Sequence, residues 1–140
     1  MQKHETPLEL TNDQLKAAAL RYIDVLPKAV ELLPSADQSL LKGSAGTAYL
    51  KLKGHRPLSG EDTERIIQQL GTDADKAIIQ RFSLAQDLLS KRLTKNKWIG
   101  LIAEQANIPY LTIYRRINKP KDWKPKEIIQ VVEVLQRLQV

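Results

Sequence analysis

The 140-residue chain has no cysteine, which excludes disulfides, thiolate zinc sites, iron–sulfur clusters and a cysteine nucleophile. Its two histidines, His4 and His55, stand far apart, so no metal site with clustered ligands is expected. No apolar run approaches the roughly 18–20 residues that a membrane-spanning helix needs, and the opening MQKHETPLEL lacks the apolar core of a secretory signal. The expected setting is therefore the cytoplasm, with no membrane partner. Catalytic constellations are missing too: there is no HExxH spacing and no serine–histidine–carboxylate pattern. Glu61, Asp62, Glu64, Asp73 and Asp75 fall near expected helix starts, where the helix dipole favours acids, so they need no catalytic explanation. No enzyme and no cofactor is expected.

What the chain does have is 42% hydrophobic and 27% charged residues, a balance that suits a folded soluble chain of one domain or two very small ones. Its 22 basic and 16 acidic residues give a net charge of +6 and a pI near 9.6. The excess is concentrated. Between Lys91 and Lys126 stand ten basic residues and two acids, a local net of +8, and the rest of the chain carries −2. Such clustering is the sequence footprint of a polyanion site, although a lysine-rich solvated face gives the same count.

Apolar periodicity is helical almost throughout. Thr11 is placed to cap a first helix carrying Leu15, Ala18, Ala19, Tyr22, Ile23 and Leu26, and Pro27 is expected to break or kink it. Ser35 is expected to cap a short helix over Ala36–Lys42. Gly43-Ser44-Ala45-Gly46 reads as a turn, because it lacks the lysine of a phosphate-binding loop and follows no strand. Tyr49–Lys53 fits a strand or a short helix. A helix over Glu61–Leu70 closes at Gly71, and Asp75–Thr94 turns Ile78, Ile79, Phe82, Leu84, Leu88, Leu89 and Leu93 inward. Trp98–Ala106, Pro109–Asn118 and Pro125–Leu138 complete an all-α fold.

The most specific stretch is WIGLIAEQANIPYLTIYRRIN, residues 98–118. Ala103 is small enough for two helices to cross closely, Asn107 tolerates a left-handed backbone, and Ile108 fills the angle of the turn. Pro109 opens the second helix, and Ile113 and Ile117 hold it to the core. This pattern resembles the helix-turn-helix of bacterial and phage regulators. With the Pro120–Trp123 loop and the apolar helix KEIIQVVEVLQRL, it is similar to the phage Cro and repressor-type domain over about residues 78–138, with Leu84–Leu93 as the family's first helix. Asn107 stands where that family usually has glycine, and Arg116 where it often has an apolar residue, a place that Ile117 takes over.

The resemblance implies a compact helical bundle in which residues 76–140 are a DNA-binding domain, and residues 1–75 a helical region for dimerisation, partner binding or a degenerate second unit. The implied function is sequence-specific binding of double-stranded DNA, as a transcriptional regulator, with helix 109–118 in the major groove. Helix geometry, taken with Ile113 and Ile117 inward, turns Leu111, Thr112, Arg115 and Asn118 outward and puts Tyr110, Tyr114 and Arg116 on the flanks. Base contacts are expected from Tyr110, Leu111, Thr112, Arg115 and Asn118, with Arg115 matching the two acceptors of guanine. Phosphate contacts are expected from Lys95, Lys97, Tyr114, Arg116, Lys119, Lys121 and Lys124. Tyr110 and Tyr114 fit packing on a neighbouring helix nearly as well, Arg116 an ion pair with Glu104, and Trp98 and Trp123 a core or hinge role.

The first half carries a faint echo of the second. A shift of 65 residues aligns Thr47, Tyr49, Leu52, Leu58, Ile66, Ile67 and Leu70 with Thr112, Tyr114, Ile117, Trp123, Val131, Val132 and Leu135. A degenerate helix-turn-helix unit with Lys51, Lys53, His55 and Arg56 as its basic residues is one explanation, and chance likeness between amphipathic helices is slightly favoured over it. Exposed-looking Leu8, Leu10 and Leu15 suggest instead a homodimer through the N-terminal helices, since regulators of this kind pair to reach two half-sites. The alternative function is a helical protein-interaction module, an adaptor or antitoxin-like partner with only nonspecific nucleic-acid affinity.

Overall fold

A computed structural model describes residues 9–36 and 38–139. Among them are seven α-helices and no strand, so the chain is all-α. The α-helices are α1 (Asn12–Leu32), α2 (Ala45–Leu52), α3 (Gly60–Leu70), α4 (Asp73–Thr94), α5 (Ile99–Ala106), α6 (Tyr110–Asn118) and α7 (Pro125–Leu138). Short 3-10 turns occupy Leu33–Ser35, Gln38–Leu40 and Pro120–Asp122.

Local chemistry sets several helix starts. The Gln14 amide donates to the Thr11 hydroxyl at 3.2 Å while the Thr11 amide donates to the Gln14 side chain at 2.9 Å, a reciprocal cap that satisfies two otherwise orphaned donors. Thr72 with Asp75 and Ser59 with Asp62 repeat the device at α4 and α3. Ser44 caps α2 through the Thr47 amide at 3.2 Å. The Asp75 carboxyl lies below its ordinary pKa, chiefly because Lys28 donates to it at 2.8 Å, with burial opposing and the Thr72 cap assisting.

Three local expectations are corrected, and an open choice between strand and helix is resolved. Pro27 does not break α1, because Val25 and Ala29 are both buried on either side of it and their packing outweighs one lost backbone hydrogen bond. No α-helix occurs among the described residues of 36–42, residue 37 lying outside them. The segment's carbonyls are met from outside, by the Arg65 guanidinium at Leu40 and the Lys51 ammonium at Lys42, and two 3-10 turns flank residue 37 instead. Within Gly43–Gly46 the turn is confined to Gly43, at φ +108°, and Ser44, because Ala45 and Gly46 already belong to α2. Tyr49–Lys53 is helical up to Leu52.

Internal packing divides the chain into two units. The continuous unit is Leu20–Phe82. Its core includes Val25, Ala29, Ile66 and Ile67, and the rings of Tyr22 and Phe82 stack with centroids 3.9 Å apart. The composite unit joins the described residues up to Ala19 to those from Ser83 onward. Arg92 ties the two stretches by donating to the Leu10 carbonyl at 2.6 Å and to Asn12 at 2.8 Å, and Lys16 pairs with Glu133 at 2.9 Å. Leu10 and Leu15 are 3% and 0% exposed, which corrects their reading as surface leucines. Leu8 and His4 lie outside the described residues. On α4, Ile78, Leu84 and Leu88 are only half-buried, because Ala85, Gln86 and Ser90 hold the inner face between the buried Ile79, Phe82, Leu89 and Leu93.

The 65-residue echo recurs as structure. α2 begins at Ala45 and α6 at Tyr110; α3 begins at Gly60 and α7 at Pro125. Inside the pair, Lys51 bridges to Asp62 at 2.5 Å, and the residues 65 positions on, Arg116 and Glu127, form the corresponding bridge at 2.9 Å. Each acid also accepts from the backbone amide just before its helix, Ser59 to Asp62 and Lys124 to Glu127, both at 2.9 Å. Seven similar side chains can arise by chance; a repeated ion pair with a repeated cap on repeated helix starts is one helix–loop–helix design built twice.

Candidate nucleic-acid interface

The turn between α5 and α6 follows from one residue in left-handed backbone. Asn107 has φ 58° and ψ 41°, a region that costs most side chains about 1–2 kcal/mol and costs asparagine less. Its conformation lets the Ile108 amide reach back to the Ala103 carbonyl at 3.0 Å and its own amide to Glu104 at 3.1 Å, closing α5. Ile108 is buried beneath the turn, and Ala103 and Ile102 are buried with it. Pro109 is extended, at φ −56° and ψ 139°, and sits at the cap position, so α6 starts one residue later than expected. Its carbonyl accepts from the Thr112 and Ile113 amides at 2.9 and 3.2 Å.

Ile113 is fully buried and orients α6, with Ile117 half-buried behind it. Leu111, Arg115 and Asn118 are exposed and Thr112 is half-buried. The Asn118 amide group is engaged locally, donating to the Tyr114 carbonyl at 3.1 Å. Tyr110 and Tyr114 are 53% and 54% exposed, so neither belongs to the buried core. Lys95, Lys97, Lys119 and Lys124 are exposed, with no acidic partner among the described residues.

Two expected phosphate contacts are committed elsewhere. Arg116 turns back into the protein, where its Nε and Nη2 donate to the two carboxylate oxygens of Glu127 at 2.9 and 3.1 Å; its partner is Glu127, not Glu104. The Glu127 bond raises the guanidinium pKa further, against the effect of burial. Lys121 binds the Ser83 hydroxyl and carbonyl and pairs with Asp87 at 3.0 Å.

The loop after α6 is fixed by polar groups that apolar periodicity passes over. Trp123 is 2% exposed, and its indole N–H donates to the Ser90 hydroxyl at 2.8 Å, which in turn donates to the Arg116 carbonyl at 2.8 Å. The Gln86 amide donates to the Trp123 and Lys121 carbonyls at 2.9 and 3.2 Å. Gln86 and Ser90 therefore hold the end of α6 and the lysine-bearing loop against α4. The sequence signal was there: two polar residues four apart on the inner face of an apolar helix, which must be satisfied if buried. Trp98 differs from Trp123. It is 50% exposed at the N-cap of α5, which removes the core alternative of its core-or-hinge reading.

No group of three or more metal-competent side chains occurs among the described residues, and His55 lies exposed after α2. No helix among them is long and apolar enough to cross a membrane. No protein-family model, curated protein or solved structure matches the chain.

Proposed function

We propose that this chain is a sequence-specific DNA-binding protein, a transcriptional regulator that inserts α6 into the major groove. One observation carries the reading: α6, held from behind by Ile113 and by the Arg116–Glu127 bridge, presents Arg115 exposed and without an acidic partner among the described residues, and Lys95, Lys97, Lys119 and Lys124 in the segments before α5 and after α6 are exposed and unpaired as well. The left-handed turn at Asn107 supports it, since it sets α6 off from α5 as the helix-turn-helix resemblance requires. Arg115 reads bases, with Leu111, Thr112 and Tyr110 beside it. The lysines hold phosphates and set affinity rather than specificity.

Selection of duplexes from a random pool tests this. Enrichment of one sequence is expected; binding without any preference at moderate salt would end the sequence-specific reading. Arg115→Ala is expected to cost about 1–3 kcal/mol of discrimination between the selected and a random duplex. Lys119→Ala is expected to weaken both equally and to make the salt slope shallower by about one. A palindromic selected site would call for two copies, for which Leu20 and Val30 are the exposed large apolar residues of α1.

A second reading has its own observation. Trp98, Leu101, Tyr110, Leu111 and Tyr114 are all exposed on α5 and α6, an apolar surface suited to a protein partner. On that reading Leu111→Ser would abolish partner capture, and Arg115→Ala would leave nucleic-acid affinity nearly unchanged.

A further inference from the structure

We infer that α2 is a second duplex-binding surface, one that grips phosphates without reading bases. The inference rests on the DNA-binding reading of α6 and extends it to the continuous unit. Its basis is positional. The bridge Lys51–Asp62 seats α2 on α3 as Arg116–Glu127 seats α6 on α7, so the remaining positions of α2 face as their counterparts 65 residues on.

The outer positions then divide by chemistry. Tyr49, the counterpart of Tyr114, is 56% exposed against 54%. Lys53 stands in the place of Asn118, with its ammonium 5.6 Å from the centre of the Tyr49 ring. Arg56 follows, exposed, in the turn after the helix. The other cations around α2 already have carboxylate partners: Lys42 and Arg65 share Glu61, and Lys51 pairs with Asp62. Lys53 and Arg56 have no acidic partner among the described residues. Polyanion contact on this helix therefore falls to these two, presented beside an exposed phenol that can also donate to a phosphate oxygen.

Base reading is absent for an equally specific reason. The counterparts of Tyr110 and Leu111 are Ala45 and Gly46, too short to reach a base edge, and the counterpart of Arg115 is Leu50, which is half-buried and has no donor. A helix with these residues can approach a backbone closely and hold it by charge; of the residues assigned to bases on α6 it keeps only a half-buried threonine, Thr47 in the place of Thr112, and it lacks the arginine that carries the readout.

The test uses the full chain, titrated by fluorescence anisotropy with a labelled random-sequence duplex and with a duplex selected from a random pool, across a salt series. Lys53→Gln with Arg56→Gln changes two exposed side chains and leaves the core intact. It is expected to weaken both duplexes by the same factor and to make the salt slope shallower by about two. Arg21→Gln with Arg81→Gln, two other exposed cations of the same unit, is expected to leave the slope unchanged. An unchanged slope in the Lys53/Arg56 variant, while the wild type binds, overturns this inference alone. A selective loss for the selected duplex overturns the assignment to phosphates. No binding by the wild type overturns the DNA-binding reading and this one together.

Discussion

The continuous and composite units share a scaffold and differ in what it carries. Both hold a short helix to its successor by an ion pair at the same spacing, and both bury two adjacent β-branched residues completely, Ile66 and Ile67 in one, Val131 and Val132 in the other. What precedes the pair differs: α5 and its left-handed turn in the composite unit, two 3-10 turns in the continuous one. Charge differs too. Thirteen basic and eight acidic residues fall in the composite unit, nine and eight in the continuous one. Where two copies of one design keep a residue pair, that pair is holding the fold; where they diverge at exposed positions, the divergence marks what each copy touches.

The sharpest contrast lies inside the shared bridge. Lys51 and Asp62 are 7% and 0% exposed, Arg116 and Glu127 17% and 15%. Removing one partner of the deeper pair leaves a lysine charge in the core, so Asp62→Ala is expected to destabilise by about 3–5 kcal/mol, the largest effect of any exchange considered. Glu127→Ala, which leaves a part-exposed guanidinium with access to water, is expected to cost about 1–2 kcal/mol. Urea unfolding followed by circular dichroism measures both, and equal losses would break the contrast. A pH signature accompanies it. Burial pushes the Asp62 carboxyl up, but bonds from Lys51 and from the Lys42 and Ser59 amides outweigh burial and hold its pKa below the ordinary value. The folded state therefore binds this proton less readily than the unfolded chain. Its contribution is complete above about pH 4 and is lost as pH falls through the folded pKa, so Asp62→Ala should flatten the acid limb of a stability–pH curve. Asp75 and Glu61, also depressed by lysine partners, keep part of that slope in the variant.

The loop between the paired helices supplies the next contrast. Trp123 corresponds to Leu58, which is only half-buried. Trp123→Leu rebuilds the continuous unit's version in the composite unit. It leaves a cavity and removes the donor from the Ser90 hydroxyl, and about 2–3 kcal/mol of destabilisation is expected in the same assay. A loss near zero would mean that Gln86, through its bond to the Trp123 carbonyl, holds the loop without the indole.

Helix content and the α5–α6 turn were legible in the sequence because each rests on local rules: apolar spacing, the cap at Thr11, and asparagine in a left-handed position. Periodicity from Ile113 and Ile117 placed Leu111, Arg115 and Asn118 outward as observed, but Thr112, also placed outward, is half-buried, and Tyr110 and Tyr114, placed on the flanks, are exposed. The failures were non-local. Nothing near Leu10 or Leu15 shows that Arg92 will bring their segment to the composite unit, and nothing near Arg116 points to Glu127 rather than Glu104. Ala36–Lys42 scans as a capped helix, yet the groups that satisfy its carbonyls come from Lys51 and Arg65 further along the chain. The echo was visible as side-chain similarity, and it gained weight only when polar partners recurred at the same spacing.

The smallest effect is the one at the turn that separates the two designs most sharply. The composite unit closes α5 with Asn107 at φ 58°, while the continuous unit places Gly43 at φ +108° one residue beyond the equivalent position. At Gly43 an added Cβ would stand 3.0 Å from the Thr47 methyl, so a tight contact adds to the conformational demand for glycine. At Asn107 conformation alone decides. Asn107→Ala is expected to cost about 1 kcal/mol, and Asn107→Gly to change stability by no more than a few tenths, since glycine loses in chain entropy what it gains in left-handed freedom. Thermal melting of the two variants separates these cases. A large loss in Asn107→Gly would show that the asparagine side chain itself holds the turn, and the Asn107 position would then join the ion pairs as a fixed part of the design.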